Sequence, residues 1–403
     1  MERVILHCDL NSFFASVELL SHPELINLPV AVCGDPSSRH GIILAKNEHA
    51  KRFGVKTAET LWQAKQKCPS LVLLPPHHSL YEVYSRRVND IYGHYTDLVE
   101  PFGIDESWLD LTGSLHLFGG DPRAVADEIR HRVYRELGLT ISVGVSFNKV
   151  FAKLGSDYKK PDATTVISPA DWRQIVWPLP VGDLLFVGRA AQTLLRRCGV
   201  ETIGQLAAFD RARLVELMGK LGGQLHDYAN GLDRSEVRRQ DQHETVKSVG
   251  NGTTFPKNLT RPEEIRAGLA LLSDSVASRL RRQGLYCGGV SVTLRSADFK
   301  TFSRQKRLDA PTRLMRDIYR AAVDLAMAAW HAPEPLRMLT VTALYITEQN
   351  DAYEQVDLLG GAAEKKSDKQ ERLEGAMAAI RGKYGKGAIS FGAADGEKVG
   401  WED

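Results

Sequence analysis

Strand-like and helix-like segments alternate along residues 1–168, and this alternation limits the fold more than any other feature of the sequence. Residues 3–9 (RVILHCD) alternate in polarity as a short strand does, and Asp9 ends that strand. The next segment, NSFFASVELL, has apolar residues at helical spacing, and further helices and short strands follow in turn. The pattern predicts an α/β or α+β sheet domain with helices covering one face.

The pattern changes at other points of the chain, so we expect a modular protein. Residues 39–78 contain a β-rich stretch and two helical stretches, which indicates a small inserted lobe. From Asp171 to Arg234 the pattern is helical, and a helix, a Val-Gly turn and a second helix fit a helix-hairpin-helix. Two amphipathic helices and two alternating strands follow. A chain of 403 residues has room for about two to four folded units.

Basic charge is concentrated late in the chain. The whole sequence has a net charge of +2, but residues 243–348 contain 16 Lys/Arg and 10 Asp/Glu. Such an excess indicates either a solvated basic surface or a polyanion partner. Around the strand GGVSVTLR we predict a phosphate-facing edge. Its basic members are Arg295, Lys300, Arg304, Lys306 and Arg307.

Apolar segments long enough to span a bilayer do not occur in the sequence. The opening stretch, MERVILHCDLNSFF, is interrupted by polar and acidic residues too early for a secretory signal. We therefore expect a cytoplasmic protein without a membrane role.

Three carboxylates are candidates for a metal site. Asp105 and Glu106 are adjacent in a turn between two predicted strands, and Asp9 ends the first strand. If the fold brings them together, these hard oxygen ligands suit Mg²⁺ and a two-metal phosphoryl-transfer reaction. Spacing alone equally allows a solvated loop and a helix-capping Asp.

Three stretches together resemble Y-family DNA polymerases, and the DinB branch most closely. They are DLNSFFASVE, GIDESWLDLT and SVGVSFNKVFAKLGSDYKKPD, in the family's order and spacing, and the resemblance extends from Arg3 to Glu348. It implies a multidomain α+β right-hand polymerase for translesion synthesis. The implied parts are a palm (1–11 and 79–168), fingers (12–78), a helical thumb (169–234), a linker (235–242), a little finger (243–348) and a tail (349–403).

The resemblance also implies roles for single residues. Asp9, Asp105 and Glu106 match the catalytic ligands of two Mg²⁺ ions, for which Mn²⁺ could substitute, and the Leu10 carbonyl adds a backbone oxygen. Phe14 matches the steric gate that rejects a ribose 2′-hydroxyl, and Lys153 matches a triphosphate-binding lysine. In the fingers, Glu48 stands where many relatives have Tyr. Lys51 replaces an Arg there, so we expect triphosphate contacts from Lys51 and Lys46 instead.

The tail contains a short peptide that resembles sliding-clamp docking motifs of bacterial polymerases. It runs from Gln355 to Leu359, with Gln355, Leu358 and Leu359 as the expected contacts, and its last residue departs from the usual aromatic. A plain loop-to-helix segment is the alternative. The expected partners are therefore primer-template DNA, dNTPs and a sliding clamp, and we expect a monomer.

Two other functions remain open at this point. One is a DNA-binding accessory subunit that kept the fold and lost polymerisation, against which the complete acidic triad argues. The other is a different palm-type enzyme, such as a nucleotide cyclase, which would not need a helical thumb or a basic final domain.

Overall fold

The computed structural model describes residues 2–36, 41–242, 245–348, 363–392, 396 and 399. Within it the chain divides into two compact units, Met1–His243 and Glu244–Asp403, which we call the first and second units. This division lies directly after the predicted linker, residues 235–242. The finer division of the first unit into palm, fingers and thumb stays a prediction.

A five-stranded sheet forms the centre of the first unit, in the order β5-β6-β1-β7-β8. Strands β5, β6, β1 and β7 pair antiparallel, and β8 joins β7 in parallel. The predicted strands around Asp9 and Asp105 are therefore neighbours in one sheet. The strands are β1 (Ile5–Leu10), β5 (Val99–Pro101), β6 (Glu106–Asp110), β7 (Ile141–Ser146) and β8 (Thr164–Val166).

Helices cover both faces of this sheet, so the prediction of one covered face was wrong. Helices α1 (Phe13–Ser21), α4 (His78–Gly93) and α5 (Pro122–Leu137) pack against the face that carries Leu6 and Cys8. Helix α6 (Lys149–Tyr158) lies on the opposite face, where Ala152 packs with Ile5 and Trp108.

Two glycines allow α6 to approach the sheet closely. A Cβ at Gly144 on β7 would stand 1.9 Å from the carbonyl oxygen of Ala152, and a Cβ at Gly155 would stand 3.0 Å from the Cα of Gly144. Helix and strand backbones are thus in direct contact. This contact places the α6 side chains over the end of β1 that carries Asp9.

Gly144→Ala is therefore expected to lower the free energy of unfolding of the first unit by at least about 2 kcal/mol, because α6 must move away from β7. Urea denaturation monitored by circular dichroism measures this loss. Gly113→Ala is the matched control, since no atom lies within 4 Å of a Cβ built there. Equal stability of the two variants would contradict the close contact.

A three-stranded sheet, in the order β3-β2-β4, forms the small lobe. The β-rich and helical stretches predicted there correspond to β3 (Ile43–Lys46), α2 (Glu48–Arg52) and α3 (Leu61–Lys67). Strands β2 (Val30–Cys33) and β4 (Val72–Leu74) were not predicted. They are three or four residues long, too short for periodicity to identify.

Short helices make up the region from Asp171 to Arg234, as predicted. A 3₁₀ turn at Val181–Asp183 precedes α8, and Leu195, Ile203 and Leu214 contribute to a common core. The helices are α7 (Trp172–Val176), α8 (Arg189–Arg197), α9 (Ile203–Ala208), α10 (Arg211–Met218) and α11 (Lys220–Ala229).

The segment predicted as a linker packs against the first unit. Val237 is buried beside Ile5 and Trp108. The Glu100 carboxylate accepts from the backbone N–H of Arg238 at 2.9 Å and from the Lys149 ammonium at 2.8 Å. Residues 235–238 are thus part of a folded surface.

The second unit is an antiparallel sheet in the order β11-β10-β12-β9, with α12 and α13 packed on one face. Strand β9 was not predicted, because its Gly250, Asn251, Gly252 and Pro256 are turn-forming residues. It forms through pairing with β12, where Gly252 faces Thr340. The elements are β9 (Ser248–Leu259), α12 (Pro262–Arg282), β10 (Leu285–Ser296), β11 (Thr301–Thr312), α13 (Met315–Ala329) and β12 (Leu336–Glu348).

A C-terminal helix, α14 (Ala363–Tyr384), docks on the second unit. The buried Glu374 carboxylate accepts from the backbone N–H of Met315 at 3.1 Å, which caps α13, and it pairs with Arg281. Arg381 pairs with Asp274 on α12 at 2.8 Å. Among the described residues, no helix has the length and apolar composition needed to cross a membrane.

Candidate active site

Strand pairing brings the three predicted carboxylates together. Asp9 on β1 lies directly opposite Glu106 on β6, so their side chains share one face of the sheet. The backbone N–H of Leu10 donates to the carbonyl of Asp105 at 2.9 Å, which fixes the start of β6 beside the end of β1. The two segments are about a hundred residues apart in sequence, and only the register makes them neighbours.

Two lysines from α6 and the loop after it compensate the carboxylate charges. The Lys153 ammonium lies 2.9 Å from Asp9 and 2.5 Å from Glu106. The Lys160 ammonium lies 2.8 Å from Asp9 and 2.8 Å from Asp157. Lys160 was not singled out in the sequence, although it is the second lysine of the K-K-P-D stretch that ends the third motif.

The carboxylates differ in their pKa. Burial raises the pKa of Asp105 to about 6, with further contributions from the negative charges of Asp9 and Glu106. Burial also acts to raise the pKa of Glu106, but His7 and Lys153 outweigh it and lower that pKa to about 2. Burial acts to lower the pKa of Lys153, yet Asp9 and its other acidic neighbours raise it. Of these three groups, Asp105 therefore has the pKa nearest to neutral pH.

His7 belongs to the site, and the sequence analysis did not assign it a role. Its Nε2 lies 3.3 Å from Oε2 of Glu106, and its Nδ1 lies 2.9 Å from the Ser156 hydroxyl. The ring is fully buried, and burial lowers its pKa. Its position two residues before Asp9, on the same strand face, is the signal that could have identified it.

The donor set fits a divalent metal ion. Ligand atoms of His7, Asp9 and Glu106 lie within 4.8 Å of one another, and the Lys153 ammonium already bridges the two carboxylates as a cation. Oxygen ligands of this kind suit Mg²⁺ and Mn²⁺. Asp105 is not in this group, but it lines the same pocket as Asp9.

A pocket of about 470 Å³ joins the carboxylates to the small lobe. Leu10 and Phe14 line its sheet side, and the small lobe contributes Lys46, Glu48 and Lys51. Asp9, Asp105 and Lys160 also line it. Lys153 is not among the described residues that line this pocket, and its ammonium instead contacts Asp9 and Glu106.

The adjacent phenylalanines have different environments. Phe13 is 3% exposed and belongs to the core, although it also contributes to the pocket lining. Phe14 is partly buried, faces the pocket and stacks on Tyr81 with ring centroids 4.1 Å apart. Ser12, just before them, has a left-handed backbone with φ of 51°, and this turns the chain from β1 into α1.

The small-lobe cations are engaged by neighbouring groups. The Lys51 ammonium lies 2.8 Å from the Glu48 carboxylate, and Lys46 donates to the Thr57 hydroxyl at 3.0 Å. Burial, followed by the positive charge of Lys51, lowers the pKa of Lys46. Glu48 thus neutralises Lys51 at the position where many relatives carry a tyrosine.

The five basic residues predicted as one DNA-facing edge divide between two faces of the second unit's sheet. Arg295 pairs with Thr301 and shares the open face with Ser291 and Thr293. Arg307 lies on that same face, 4.5 Å from the Tyr345 ring. The strand positions of Arg304 and Lys306 face the helices instead, and Lys306 pairs with Asp324 of α13 at 2.9 Å. Side chains alternate along β11, so these residues do not share one face of the sheet, and their contact with DNA stays a prediction. Lys300 lies in the turn before β11.

The predicted clamp peptide, Gln355 to Leu359, lies outside the described residues.

Comparisons with known families agree with this architecture. The profile of the impB/mucB/samB family matches residues 8–157, and that of the impB/mucB/samB family C-terminal domain matches residues 246–358. A solved Y-family DNA polymerase chimera superimposes with a TM-score of 0.75 at 22% identity, covering 86% of this chain and 99% of that one. The predicted multidomain α+β right-hand fold is thereby confirmed.

Relatives match over nearly the whole chain. DNA polymerase IV of Acetivibrio thermocellus is 45% identical over 392 residues, which cover 97% of each protein. DNA polymerase IV 1 of Bacillus subtilis is 37% identical over 391 residues, covering 97% of this chain and 93% of that protein. The chain therefore belongs to the Y-family of DNA polymerases, in the DinB-type branch that the DNA polymerase IV enzymes represent.

Proposed function

We propose that this translesion DNA polymerase adds dNTPs to a primer 3′-hydroxyl at the carboxylate cluster of Asp9, Asp105 and Glu106. The observation that carries the proposal is the register of β1 and β6, which sets Asp9 opposite Glu106 at the edge of a lysine-lined pocket. A nucleotide cyclase is set aside by family membership. An accessory subunit without catalysis would not need the complete acidic set.

Two Mg²⁺ ions are the proposed cofactor, with Mn²⁺ as a substitute, held by Asp9, Asp105, Glu106 and the Leu10 carbonyl. Bound ions supply activation of the 3′-hydroxyl and charge stabilisation of the pyrophosphate leaving group. The protein's own contribution is to hold Glu106 ionised, whereas burial opposes the ionisation of Asp105. His7 and Lys153 act on Glu106, whose pKa of about 2 keeps it charged at any working pH.

The pocket is the proposed dNTP site. Phe14 would contact the sugar, and Lys46 and Lys51 would contact the triphosphate. Lys160 is a third triphosphate candidate, because its ammonium lines the pocket 2.8 Å from Asp9. The resemblance to the family also proposes Lys153 as a triphosphate contact, although three carboxylates already hold its ammonium in this structure.

Lys160→Ala is expected to raise the KM for dNTP about 10-fold or more, because a charge-assisted contact to phosphate is lost. Steady-state single-nucleotide insertion measures it. Lys159→Ala is the matched control, as its side chain is exposed and adjacent in sequence. An equal KM in both variants would remove Lys160 from the triphosphate site.

The open face of the second unit's sheet is the proposed duplex-binding surface. Arg295 and Arg307 flank the hydroxyls of Ser291 and Thr293 there, and such groups bind phosphates without reading sequence. Lys300, Arg304 and Lys306 remain candidates from the sequence, with Lys306 the least favoured because Asp324 neutralises it.

Sliding-clamp binding through Gln355, Leu358 and Leu359 is also proposed. Deleting residues 355–359 is expected to reduce clamp retention in a pull-down at least about 10-fold, while extension without clamp stays unchanged. A deletion of the same length at residues 393–397 serves as the control. Equal retention by both deletions would exclude the peptide.

Primer extension by the full chain tests the proposed function directly. We expect distributive, template-directed extension with dNTPs and Mg²⁺, and its loss in EDTA. The absence of extension by folded protein across varied metal and salt concentrations would overturn it. Monomeric state and cytoplasmic location stay predictions from the sequence.

A further inference from the structure

Glu18 is a buried carboxylate that the catalytic cluster does not use. It is 3% exposed and lies on α1, one helical turn after Phe14. Burying an ionised carboxylate is costly unless donors surround it. Its partners therefore indicate why the residue is there.

Two groups donate to the Glu18 carboxylate, and a histidine ring lies beside it. The Tyr81 hydroxyl donates to Oε1, and the His77 backbone N–H donates to the same oxygen at 3.2 Å. Nδ1 of His77 lies 3.0 Å from each carboxylate oxygen. Burial, together with the Glu18 carboxylate, raises the pKa of Tyr81, so its hydroxyl keeps the proton that it donates.

Tyr81 connects Glu18 to the Phe14 ring at the pocket. Its ring is fully buried and stacks on the Phe14 ring with an interplanar angle of 12°. His78, beside His77, meets the Phe14 ring edge-on with centroids 5.8 Å apart. Phe14 is thus held from behind by a ring whose far end is tied to Glu18.

We propose that Glu18 is a positioning residue for sugar selection, acting through the Tyr81 hydroxyl to hold the Phe14 ring at the height that excludes a ribose 2′-hydroxyl. The inference rests on the proposed role of Phe14 as the gate. Glu18 touches neither substrate nor metal ligands. Glu18 and Phe14 lie on the same helix, α1, so they move together. Tyr81 lies on α4 and sets the distance between α1 and α4.

The negative charge of the carboxylate strengthens this arrangement. The Tyr81 hydroxyl and the His77 backbone N–H both donate to Oε1, and an amide at residue 18 would offer them a neutral oxygen in place of a charged one. Glu18→Gln therefore weakens the bond to Tyr81 with almost no change in volume. Tyr81→Phe removes the hydroxyl and leaves the stacked ring in place.

The test measures the ratio of kcat/KM for a dNTP to that for the matching rNTP, on one primer-template, for the full chain. We expect Glu18→Gln and Tyr81→Phe each to lower this ratio about 5- to 10-fold, because the ring gains freedom to recede. Tyr95→Phe is the matched control. It removes a similar bond, in which Tyr95 donates to Glu128 at 2.9 Å on another part of the same core.

A double variant separates positioning from general destabilisation. If Glu18 and Tyr81 act through the gate, Tyr81→Phe has no further effect on the ratio once Phe14 is alanine. The inference would be overturned if both single variants had the same ratio as Tyr95→Phe, even if their thermal midpoints were lowered. An additive effect in the Phe14→Ala background would also overturn it.

A different result is expected if Phe14 is not the steric gate. If Phe14→Ala itself leaves the ratio unchanged, the proposed role of Phe14 is wrong. If Phe14→Ala lowers the ratio while Tyr81→Phe and Glu18→Gln do not, the gate stands and only the positioning role of Glu18 is lost.

Discussion

Asp105→Asn is expected to abolish primer extension and, at the same time, to stabilise the first unit in EDTA. The loss of activity follows from the loss of a metal-binding carboxylate, and we expect a decrease on the order of 1000-fold or more in kcat. The stabilisation follows from the raised pKa. Both effects are expected when one charge is removed from a crowded acidic site.

The sign of the stability change can be derived from the pKa of Asp105. Burial and like charges raise it from 3.8 to about 6. Its stabilising contribution is therefore complete below pH 4 and is lost as the pH rises through 6. A shift of about two pKa units corresponds to at most about 3 kcal/mol at neutral pH. Asparagine keeps the shape without the charge.

Differential scanning fluorimetry in EDTA at pH 7.5 measures this gain, which we expect to raise the unfolding midpoint by about 2–5 °C. At pH 4 the two proteins should melt together. Added Mg²⁺ should stabilise the parent more than the variant, since binding to the native state adds stability. Asp97→Asn, an exposed carboxylate paired with Arg239, is the control.

Retained extension in Asp105→Asn would show that the metal assignment is wrong. Loss of extension together with loss of primer-template binding would point instead to a folding defect. We expect DNA affinity to be unchanged, because ligands to metal and contacts to duplex are different residues.

Phe14→Ala is expected to increase ribonucleotide insertion relative to deoxynucleotide insertion on the order of 100-fold. The Phe14 ring lines the pocket and is held against Tyr81, so its removal opens space for a 2′-hydroxyl. Comparing kcat/KM for matching dNTP and rNTP substrates measures this change. The effect should appear mainly as faster rNTP insertion.

Phe118→Leu is the matched control for this variant. Phe118 packs against the same core but is not among the residues that line the pocket, so the change should lower the free energy of unfolding by about 1 kcal/mol and leave sugar choice alone. A dNTP preference that is identical in the parent and Phe14→Ala would refute the gate.

Local patterns predicted elements wherever the periodicity was strong. The amphipathic stretches RAVADEIRHRVYREL and PEEIRAGLALLSDSVASRLRRQG correspond to α5 and α12 within a few residues. Strand β9 was not predicted because its glycines give a weak strand signal in the sequence. It exists because β12 pairs with it, and the register could not be read from either segment alone.

Contacts between distant segments account for the other differences between the predicted and the observed fold. Helix α6 crosses the face opposite to α4 and α5 because Gly144 and Gly155 permit backbone contact, which periodicity does not indicate. The basic residues of β11 divide between two faces because the strand alternates. Charge counts along the sequence cannot show such a division.

The sequence by itself determined the family and most helices, and it predicted Asp9, Asp105 and Glu106 as the metal-binding carboxylates, because motif residues and periodicity are local properties. Only the tertiary structure decided that Asp9 opposes Glu106, that Lys160 and His7 join them, and that Glu18 supports Phe14 through Tyr81. These relations depend on strand register and on helix approach. Both are set by contacts between segments tens to hundreds of residues apart, where the sequence carries no pattern of its own.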